Sequence, residues 1–196
     1  MNKSVITLVS TNIGKKKSLT RALKGLNYKI KTVKLDIIEP QFDDIETIAT
    51  FKAQQAFNIL RCPLIVNDGG LVIPTLNGFP GPYTKYVTTV LTCENILSLM
   101  NGCDNRDCYL TQCLIYVDKN GKFHKFQDKV LGTIANSISD IPNPRAWGAL
   151  WKIFIPKYSM KPLSEISEEE YHFTIRPKAQ TNSVWEELRN LLILTN

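Results

Sequence analysis

Apolar and polar residues along the first half of the chain follow the periods of alternating strands and helices. The apolar runs at 5–10 and 64–66 are short and rich in β-branched residues, which is typical of buried strands, and the segment 30–38 predicts a second strand. Between them, apolar residues three and four positions apart predict helices over 16–26 and 43–60. The order strand, helix, strand, helix, strand is typical of an α/β domain.

The second half of the chain predicts a hairpin between two helices. Residues 108–117 and 122–130 carry alternating apolar positions on either side of an Asn-Gly turn, which is a strong hairpin signal. Apolar periodicity predicts one helix over 85–100 and a closing helix over 180–192, while 143–156 is aromatic and irregular. Together with the first half, this pattern predicts a long mixed central sheet with helices packed on it.

Length and composition predict one domain over residues 1–196. With 43% hydrophobic and 21% charged residues, the chain can bury a sizeable core. No apolar run reaches the roughly 18 residues of a membrane span, and the N-terminal apolar segment lacks the cleavage pattern of a signal peptide. Five cysteines without a CxxC pair are typical of a reduced protein, so we expect a cytoplasmic location and no membrane partner.

The net charge of +6 raises the question of a polyanionic partner. The basic residues are spread along the chain, with one local cluster at Lys15-Lys16-Lys17, and no nucleic-acid-binding signature accompanies them. A basic surface serves a small polyanionic substrate equally well, because a positive cleft concentrates anions. A nucleotide is therefore favoured over nucleic acid, which stays as an alternative partner.

The most informative stretch lies around a single acid in the middle of the chain. The apolar run 64–66 leads to Asp68, which is followed directly by Gly69 and Gly70, and a second apolar run resumes at Leu71. A glycine pair that interrupts a buried strand marks a bulge or a close approach of backbone to a ligand. This pattern indicates phosphate or metal chemistry at Asp68. The alternative is a strand–turn–strand unit in which Asp68 caps the turn.

A second candidate site is the junction between the first predicted strand and the first predicted helix. The segment from Ser10 to Lys15 is small and polar and ends in a lysine. Backbone N–H groups at a helix N-terminus point at a bound anion, and a lysine neutralises it, so this segment can hold phosphate. The Walker A pattern is absent. The alternative is a capped surface helix with solvated lysines.

Two further charged residues are notable for their positions. Lys52 falls on the apolar stripe of the helix predicted over 43–60, and a buried lysine needs an anionic partner. The alternative is that Lys52 extends along the helix edge into solvent. Glu39 follows the second predicted strand and precedes a proline, where an isolated glutamate is usually a surface residue.

Five segments form an ordered series of motifs along nearly the whole chain. They are Ser10-Thr11-Asn12-Ile13-Gly14-Lys15, Leu35-Asp36-Ile37-Ile38-Glu39-Pro40-Gln41, Phe51-Lys52-Ala53-Gln54-Gln55-Ala56, Val66-Asn67-Asp68-Gly69-Gly70-Leu71 and Leu76-Asn77-Gly78-Phe79-Pro80-Gly81-Pro82-Tyr83. In this order they resemble the motifs of the inosine triphosphate pyrophosphatase family, which hydrolyses non-canonical purine nucleoside triphosphates. The last segment is the most specific, because it matches the family loop almost letter for letter.

The resemblance implies an α/β fold and an activity. The fold is a long twisted mixed central sheet flanked by helices, with two lobes around a central nucleotide cleft, in a homodimer. The activity is Mg²⁺-dependent hydrolysis of the α–β phosphoanhydride of nucleotides such as ITP, dITP and XTP, which gives a nucleoside monophosphate and pyrophosphate. Mn²⁺ is the alternative cation.

The resemblance also implies roles for individual residues. Glu39 and Asp68 would hold the metal, since Mg²⁺ is usually bound by a few carboxylates together with substrate phosphates. Asp68 would orient or activate the attacking water, and Glu39 and Lys52 complete the catalytic set. The predicted substrate-binding residues are Ser10, Thr11, Asn12, Lys15, Gly69, Gly70, Trp151 and Arg176, with Lys52 also holding phosphate.

The departures from the family pattern fall mainly where the base is selected. The family's acid before Asp68 is Asn67 here, and its Phe-Gly-Trp-Asp segment matches 147–152 only loosely, with no Asp. The family's Ser-His-Arg ends as Thr-Ile-Arg, so Ile175 replaces its histidine. Glu170 stands where the family has a lysine.

These departures predict altered or relaxed base specificity, since a polar pocket discriminates through its buried donors and acceptors. For the aromatic ring of Trp151, stacking on a base and packing in the core both stay open. Two alternatives to the enzyme also stay open: a degenerate homologue that binds nucleotides without catalysis, and a basic nucleic-acid-binding protein.

Overall fold

A computed structural model describes residues 3–146, 148–175 and 183–195. Among these residues, the strands form a seven-stranded sheet in the order β2-β1-β3-β5-β6-β7, with β4 paired to β3. The strands are β1 (Ser4–Val9), β2 (Tyr28–Val33), β3 (Leu64–Val72), β4 (Pro80–Gly81), β5 (Asp107–Val117), β6 (Phe123–Ile134) and β7 (Phe154–Pro156).

Six α-helices accompany the strands in the described part of the chain. They are α1 (Ile13–Ala22), α2 (Ile45–Leu60), α3 (Thr84–Val90), α4 (Cys93–Leu99), α5 (Glu168–Ile175) and α6 (Val184–Leu194). In the same residues, no helix is both long enough and apolar enough to cross a membrane. The mixed sheet with helices confirms the α/β fold class predicted from the sequence.

The first three long strands determine where polar side chains gather. β1 pairs in parallel with β2 over its whole length, from Ser4 opposite Tyr28 to Val9 opposite Val33. β1 also pairs in parallel with the start of β3, where Thr7 lies opposite Leu64. Because the strands are parallel, their carboxyl ends lie at the same edge of the sheet, which is where ligands bind in open α/β sheets.

The chain divides into two compact units. The first comprises Met1–Asp68, Gln112–Asp128 and Asn182–Asn196, and the second comprises Gly69–Thr111 and Lys129–Thr181. The expectation of one domain over 1–196, and that of a nucleotide cleft, stay predictions.

The first unit has two buried clusters. One joins α6 to the sheet and includes Ile6, Leu114 and Leu188, each fully buried. The other lies under α2, where Ala49, Ala53 and Ala56 are fully buried against strand residues that include Val66 and Ile115. Small alanine side chains allow a helix to pack closely on a sheet. A polar residue of the same helix, Lys52, contacts Asp68 on β3.

The second unit has one large buried cluster. It contains Leu71 from β3, Ile73 directly after β3, Ile96 and Met100 from the α4 region, and the residues that precede and form β7. The stretch 143–156, which the sequence pattern left irregular, contributes a 3₁₀ turn and the strand β7.

Several expectations from the sequence are corrected. The second strand, predicted over 30–38, is β2 (Tyr28–Val33), and residues 34–38 are not in a strand. The single helix predicted over 85–100 is two helices, α3 and α4. A capping box in which the side chains of Thr92 and Asn95 bond each other's backbone N–H group begins α4. The glycine pair does not end the strand that contains Asp68, since β3 runs continuously from Leu64 to Val72, so the strand–turn–strand alternative is wrong. The predicted helix over 43–60 and the hairpin are confirmed.

Candidate active site

The predicted phosphate and metal residues of the first unit meet at the carboxyl ends of its parallel strands. The segment 10–12 follows β1 and leads into α1, and the segment with Glu39 follows β2. Asp68 lies on β3, beyond the residues of β3 that pair with β1. α2, which precedes β3 in the chain, contributes Lys52. The topology therefore brings together side chains that are up to 58 positions apart in the sequence.

Two ammonium groups converge on the carboxylate of Asp68. The Nζ atom of Lys52 lies 3.2 Å from Oδ1 and 3.1 Å from Oδ2. The Nζ atom of Lys15 lies 3.7 Å from Oδ1 and donates a hydrogen bond to the backbone oxygen of Asn67. Asp68 is thus held by one lysine from α1 and one from α2.

Lys52 also contacts Glu39, with its Nζ atom 2.8 Å from Oε1. The side chain of Lys52 is 14% exposed, whereas that of Glu39 is 65% exposed. Burial by itself would lower the pKa of Lys52, but the charges of Asp68 and Glu39 outweigh it, and the pKa is raised. Lys52 therefore stays a cation at neutral pH. The sequence-based expectation of an anionic partner for this lysine is confirmed.

The loop after β1 is shaped by its own hydrogen bonds. The side chain of Asn12 caps α1 by accepting a hydrogen bond from the backbone N–H of Lys15 at 3.1 Å. The hydroxyl of Ser10 accepts a hydrogen bond from the backbone N–H of Asn12 at 3.1 Å, and Thr11 is exposed. The first N–H groups of a helix have no partner within the helix, so this capped terminus beside Lys15 is suited to an anion. α1 begins three residues earlier than predicted because Asn12 caps it.

Gln55 is a polar residue of this region that the sequence reasoning left unassigned. Its side-chain amide donates to the backbone oxygen of Ile38 at 2.8 Å and accepts from the backbone N–H of Ile38 at 3.1 Å. Its position in the sequence could have indicated a place near the site. Gln55 lies three residues after Lys52, and side chains with this spacing lie on neighbouring parts of one helix face.

Glu39 and Asp68 fit a divalent cation that prefers oxygen ligands. The Oδ2 atom of Asp68 is buried, and no donor in the described part of the chain makes a hydrogen bond of good geometry to it, although the charge of Lys52 is close. Across 3–146, 148–175 and 183–195, no three His, Cys, Asp or Glu residues form a metal-binding group. Two carboxylates with substrate phosphates are a usual ligand set for Mg²⁺.

Asn67, which stands where the family has an acid, donates two side-chain hydrogen bonds in the first unit. It is 5% exposed, and its Nδ2 atom donates to Gln112 Oε1 and to the backbone oxygen of Cys113, each at 3.3 Å. Gln112 in turn donates to Asp128 Oδ2 at 3.2 Å, and the same oxygen accepts from the first N–H of α6, that of Val184, at 3.0 Å. A partly buried chain of polar groups thus continues from Asn67 to the start of α6.

In the second unit, the glycine pair has a packing explanation. A Cβ atom on Gly70 would clash with the backbone oxygen of Gly81. The hydroxyl of Thr84 donates to that same oxygen at 2.7 Å and accepts from the N–H of Leu71 at 2.8 Å. Gly70 is therefore required by a close approach of two backbone segments, while Gly69 is exposed. Their predicted role in binding substrate stays a prediction.

Trp151 lies inside the hydrophobic cluster of the second unit. It is 2% exposed, and its ring stacks on that of Tyr171 with centroids 5.6 Å apart and planes 13° apart. The guanidinium of Arg145 lies 5.9 Å and 5.5 Å from the two ring centroids. A ring buried in this way offers no face to a base, so this packing does not support the substrate contact predicted for Trp151.

Two of the departures from the family pattern have structural roles in the second unit. Ile175 packs against the hydrophobic cluster, as an apolar residue is expected to do. Glu170 accepts a hydrogen bond from the N–H of Ser167 at 2.9 Å, and Ser167 Oγ accepts from the N–H of Glu170 at 3.1 Å. This reciprocal pair is a capping box at the start of α5. Trp147 and Arg176 lie outside the described residues.

Comparison with known proteins connects this site to one family. The model of the Ham1 family matches residues 6–182. A dITP/XTP pyrophosphatase from Korarchaeum cryptofilum is 35% identical over 167 residues, which cover 85% of this chain and 87% of that protein. Inosine triphosphate pyrophosphatase 2 of Trypanosoma cruzi is 30% identical over 178 residues, which cover 89% and 87% of the two chains. These matches confirm the resemblance seen in the motifs.

Solved structures are similar in fold. The Ham1 protein of Staphylococcus aureus matches with a TM-score of 0.80 at 20% identity, over 98% of this chain and 100% of that one. A HAM1 protein from Coxiella burnetii matches with a TM-score of 0.79 at 20% identity, over 97% and 99% of the chains.

Proposed function

The chain belongs to the Ham1 family, and we propose that it hydrolyses non-canonical purine nucleoside triphosphates such as ITP, dITP and XTP. The bond that breaks is the α–β phosphoanhydride, so the products are a nucleoside monophosphate and pyrophosphate. The observation that carries the proposal is the convergence of Lys15 and Lys52 on Asp68 at the carboxyl ends of parallel strands. The names of the similar proteins from Korarchaeum and Trypanosoma support the substrate class.

In this proposal, the lysines exchange one anionic partner for another. Without substrate, Lys15 and Lys52 neutralise Asp68. A triphosphate brings oxygens that compete for both ammonium groups, while the N-terminus of α1 binds a further phosphate oxygen. Asp68 is then less neutralised and accepts a hydrogen bond from the attacking water. The same lysines stabilise the charge that develops on the leaving pyrophosphate.

We propose that Glu39 and Asp68 hold a divalent cation, Mg²⁺ with Mn²⁺ as the alternative. When bound, such a cation offsets phosphate charge and makes a coordinated water more acidic. Lys52 contacts both carboxylates, and it therefore keeps Glu39 and Asp68 close together when no cation is bound.

Base selection is proposed to be altered or relaxed. Trp151 is packed in the core and Ile175 is apolar, so neither position supplies a polar contact to a base edge. Arg176 stays a predicted substrate-binding residue. A pocket with fewer donors and acceptors discriminates less between a 6-keto and a 6-amino purine.

The proposal is tested by measuring pyrophosphate release with Mg²⁺ from ITP, dITP, XTP, dUTP and the standard nucleotides. Asp68→Asn is expected to lower turnover by about 10²–10⁴-fold, the usual contribution of a general base. Asp44→Asn is the matched control, because Asp44 caps α2 through the N–H of Thr47 and asparagine preserves such a cap.

Each outcome of this panel decides between functions. Turnover confined to ITP, dITP and XTP would support the enzyme and contradict the relaxed specificity. Nucleotide binding without release of pyrophosphate would favour a non-catalytic homologue. The neutral amide of Asn67, where the family has an acid, is consistent with that alternative. Steeply salt-dependent binding to oligonucleotides alone would indicate a nucleic-acid-binding protein.

Assembly as a homodimer and a cytoplasmic location complete the proposal. Light scattering during size-exclusion chromatography measures the mass directly. A peak at the 22.2 kDa of one chain across the concentration range would contradict the dimer.

A further inference from the structure

Glu39 lies in an irregular segment that is anchored at Leu35, which packs against the cluster under α2, and at the Glu39 carboxylate, which contacts Lys52. Residues 34–44, between β2 and α2, contain no helix or strand. The side chain of Glu39 is 65% exposed, and Ile38 beside it is 69% exposed. Burial of these two side chains therefore contributes little to the position of this segment.

Gln55 supplies a polar anchor at this point. Its amide makes two hydrogen bonds to the backbone of Ile38, one as a donor at 2.8 Å and one as an acceptor at 3.1 Å. A planar amide that bonds both backbone groups of one residue fixes its orientation as well as its distance. The backbone that carries Glu39 is thereby tied to α2.

The same helix also carries the lysine that joins the two carboxylates. Lys52 lies three residues before Gln55, and its Nζ atom contacts both Glu39 and Asp68. The buried alanines of α2 hold this helix against the strand cluster that contains Val66. α2 therefore connects the backbone beside Glu39 to β3, the strand that contains Asp68.

We propose that Gln55 is a positioning residue that sets Glu39 at the right distance from Asp68 for a divalent cation. This inference rests on the proposed function, which assigns the cation to these two carboxylates. Gln55 touches neither the cation nor the substrate. It acts through the backbone of Ile38, as hydrogen-bonded groups behind metal ligands do in other proteins.

The experiment measures Mn²⁺ binding by calorimetry, with and without a non-hydrolysable nucleotide, in the wild type and in Gln55→Met. Methionine keeps the length of the side chain and removes both hydrogen bonds. We expect Mn²⁺ affinity to fall by about 10–100-fold. Gln54→Met is the matched control on the same helix, because Gln54 is exposed and donates only to the side chain of Asn58 among the hydrogen bonds described for it.

A second control and a kinetic readout separate positioning from general damage. Ile38→Ala is expected to leave Mn²⁺ affinity unchanged, because the backbone of Ile38 is what Gln55 holds. In turnover assays, Gln55→Met is expected to raise the Mg²⁺ concentration for half-maximal rate, with the rate at saturating Mg²⁺ close to that of the wild type. A lesion of folding alone would lower the rate at every Mg²⁺ concentration.

The outcomes distinguish this inference from the proposed function. Wild-type affinity and half-maximal Mg²⁺ concentration in a folded Gln55→Met would overturn the role of Gln55, even if the enzyme is active. Mn²⁺ binding that weakens in Gln55→Met but in no control would support it, even if no nucleotide is hydrolysed. A wild type that binds no Mn²⁺ in either condition would overturn it as well.

Discussion

Around Asp68 in the first unit, charged side chains remain partly open to solvent, whereas in the second unit the rings of Trp151 and Tyr171 are stacked inside a hydrophobic cluster. The charged group includes Lys15 at 26% and Asp68 at 21% side-chain exposure. The aromatic pair is lined instead by a guanidinium that is already bonded to backbone and to Asn143.

The difference teaches which contacts are available to a ligand. A half-buried ion pair can exchange partners, because its charges keep access to solvent and to an incoming anion. A buried aromatic stack has already used its faces, and opening it would cost packing energy. We therefore propose that the first group carries out chemistry and that the second contributes to stability.

The largest effect on stability is expected from removing the buried ring of Trp151. Trp151→Ala should lower the free energy of unfolding by about 3–5 kcal/mol, as large-to-small changes at buried aromatics do. Urea denaturation measures it. Trp151→Phe is the milder variant, and its preference for dITP over dATP should equal that of the wild type. A changed preference in Trp151→Phe would return this residue to the substrate site.

Lys52→Met is expected to lower kcat/KM for dITP by about 10²–10³-fold, since it removes a charge that stabilises developing negative charge. Lys125→Met is the control, because Lys125 pairs with Glu46 at an exposed position and such pairs contribute little. Activity of Lys52→Met within threefold or so of the control would show that the charged group is structural.

Asn67→Asp is expected to destabilise the protein by about 3 kcal/mol, because a buried carboxylate would face the oxygens of Gln112 and Cys113. In the double variant with Asp128→Asn, Gln112 can turn its amide and donate to position 67. Thermal denaturation should then recover part of the loss. Additive losses in the two single variants and the double variant would show that the side chains are not coupled.

The smallest effect concerns the start of α5. The pKa of Glu170 is lowered from its ordinary value of 4.5, first by the N–H of Ser167 and then by the charge of Lys161. A carboxylate with a lowered pKa stabilises the fold above its unfolded pKa, and this contribution is lost as pH falls through the folded value. Glu170→Gln should therefore lose less stability than the wild type between about pH 6 and about pH 3. The measurement is the melting temperature of both proteins as a function of pH. The same dependence on pH in the wild type and in Glu170→Gln would exclude the effect.

The contacts of charged residues were predictable from the sequence. A lysine on an apolar helix stripe requires an acidic partner, and Lys52 forms ion pairs with both Glu39 and Asp68. The neutral amide of Gln55 carries no such signal, and its role depends on a backbone contact 17 positions away. The burial of Trp151 likewise involves stacking on Tyr171, and local periodicity does not predict a contact between residues so far apart in the sequence.

In the fold, the strongly periodic elements were predictable, and local capping decided the rest. The helix predicted over 85–100 is divided at Thr92 because a reciprocal cap with Asn95 outweighs continued apolar spacing. The glycine pair suggested an interruption, but Gly70 allows Gly81 to approach without ending β3.

The polar chain from Asn67 through Gln112 to Asp128 has a consequence for the history of this protein. An acid at position 67 is expected to cost stability while Asp128 keeps its charge, so the order of substitutions is constrained. Neutralising position 128 first is the less costly order. Relatives with an acid at the position of Asn67 are therefore expected to carry an uncharged residue at that of Asp128, and the two positions should change together across the family.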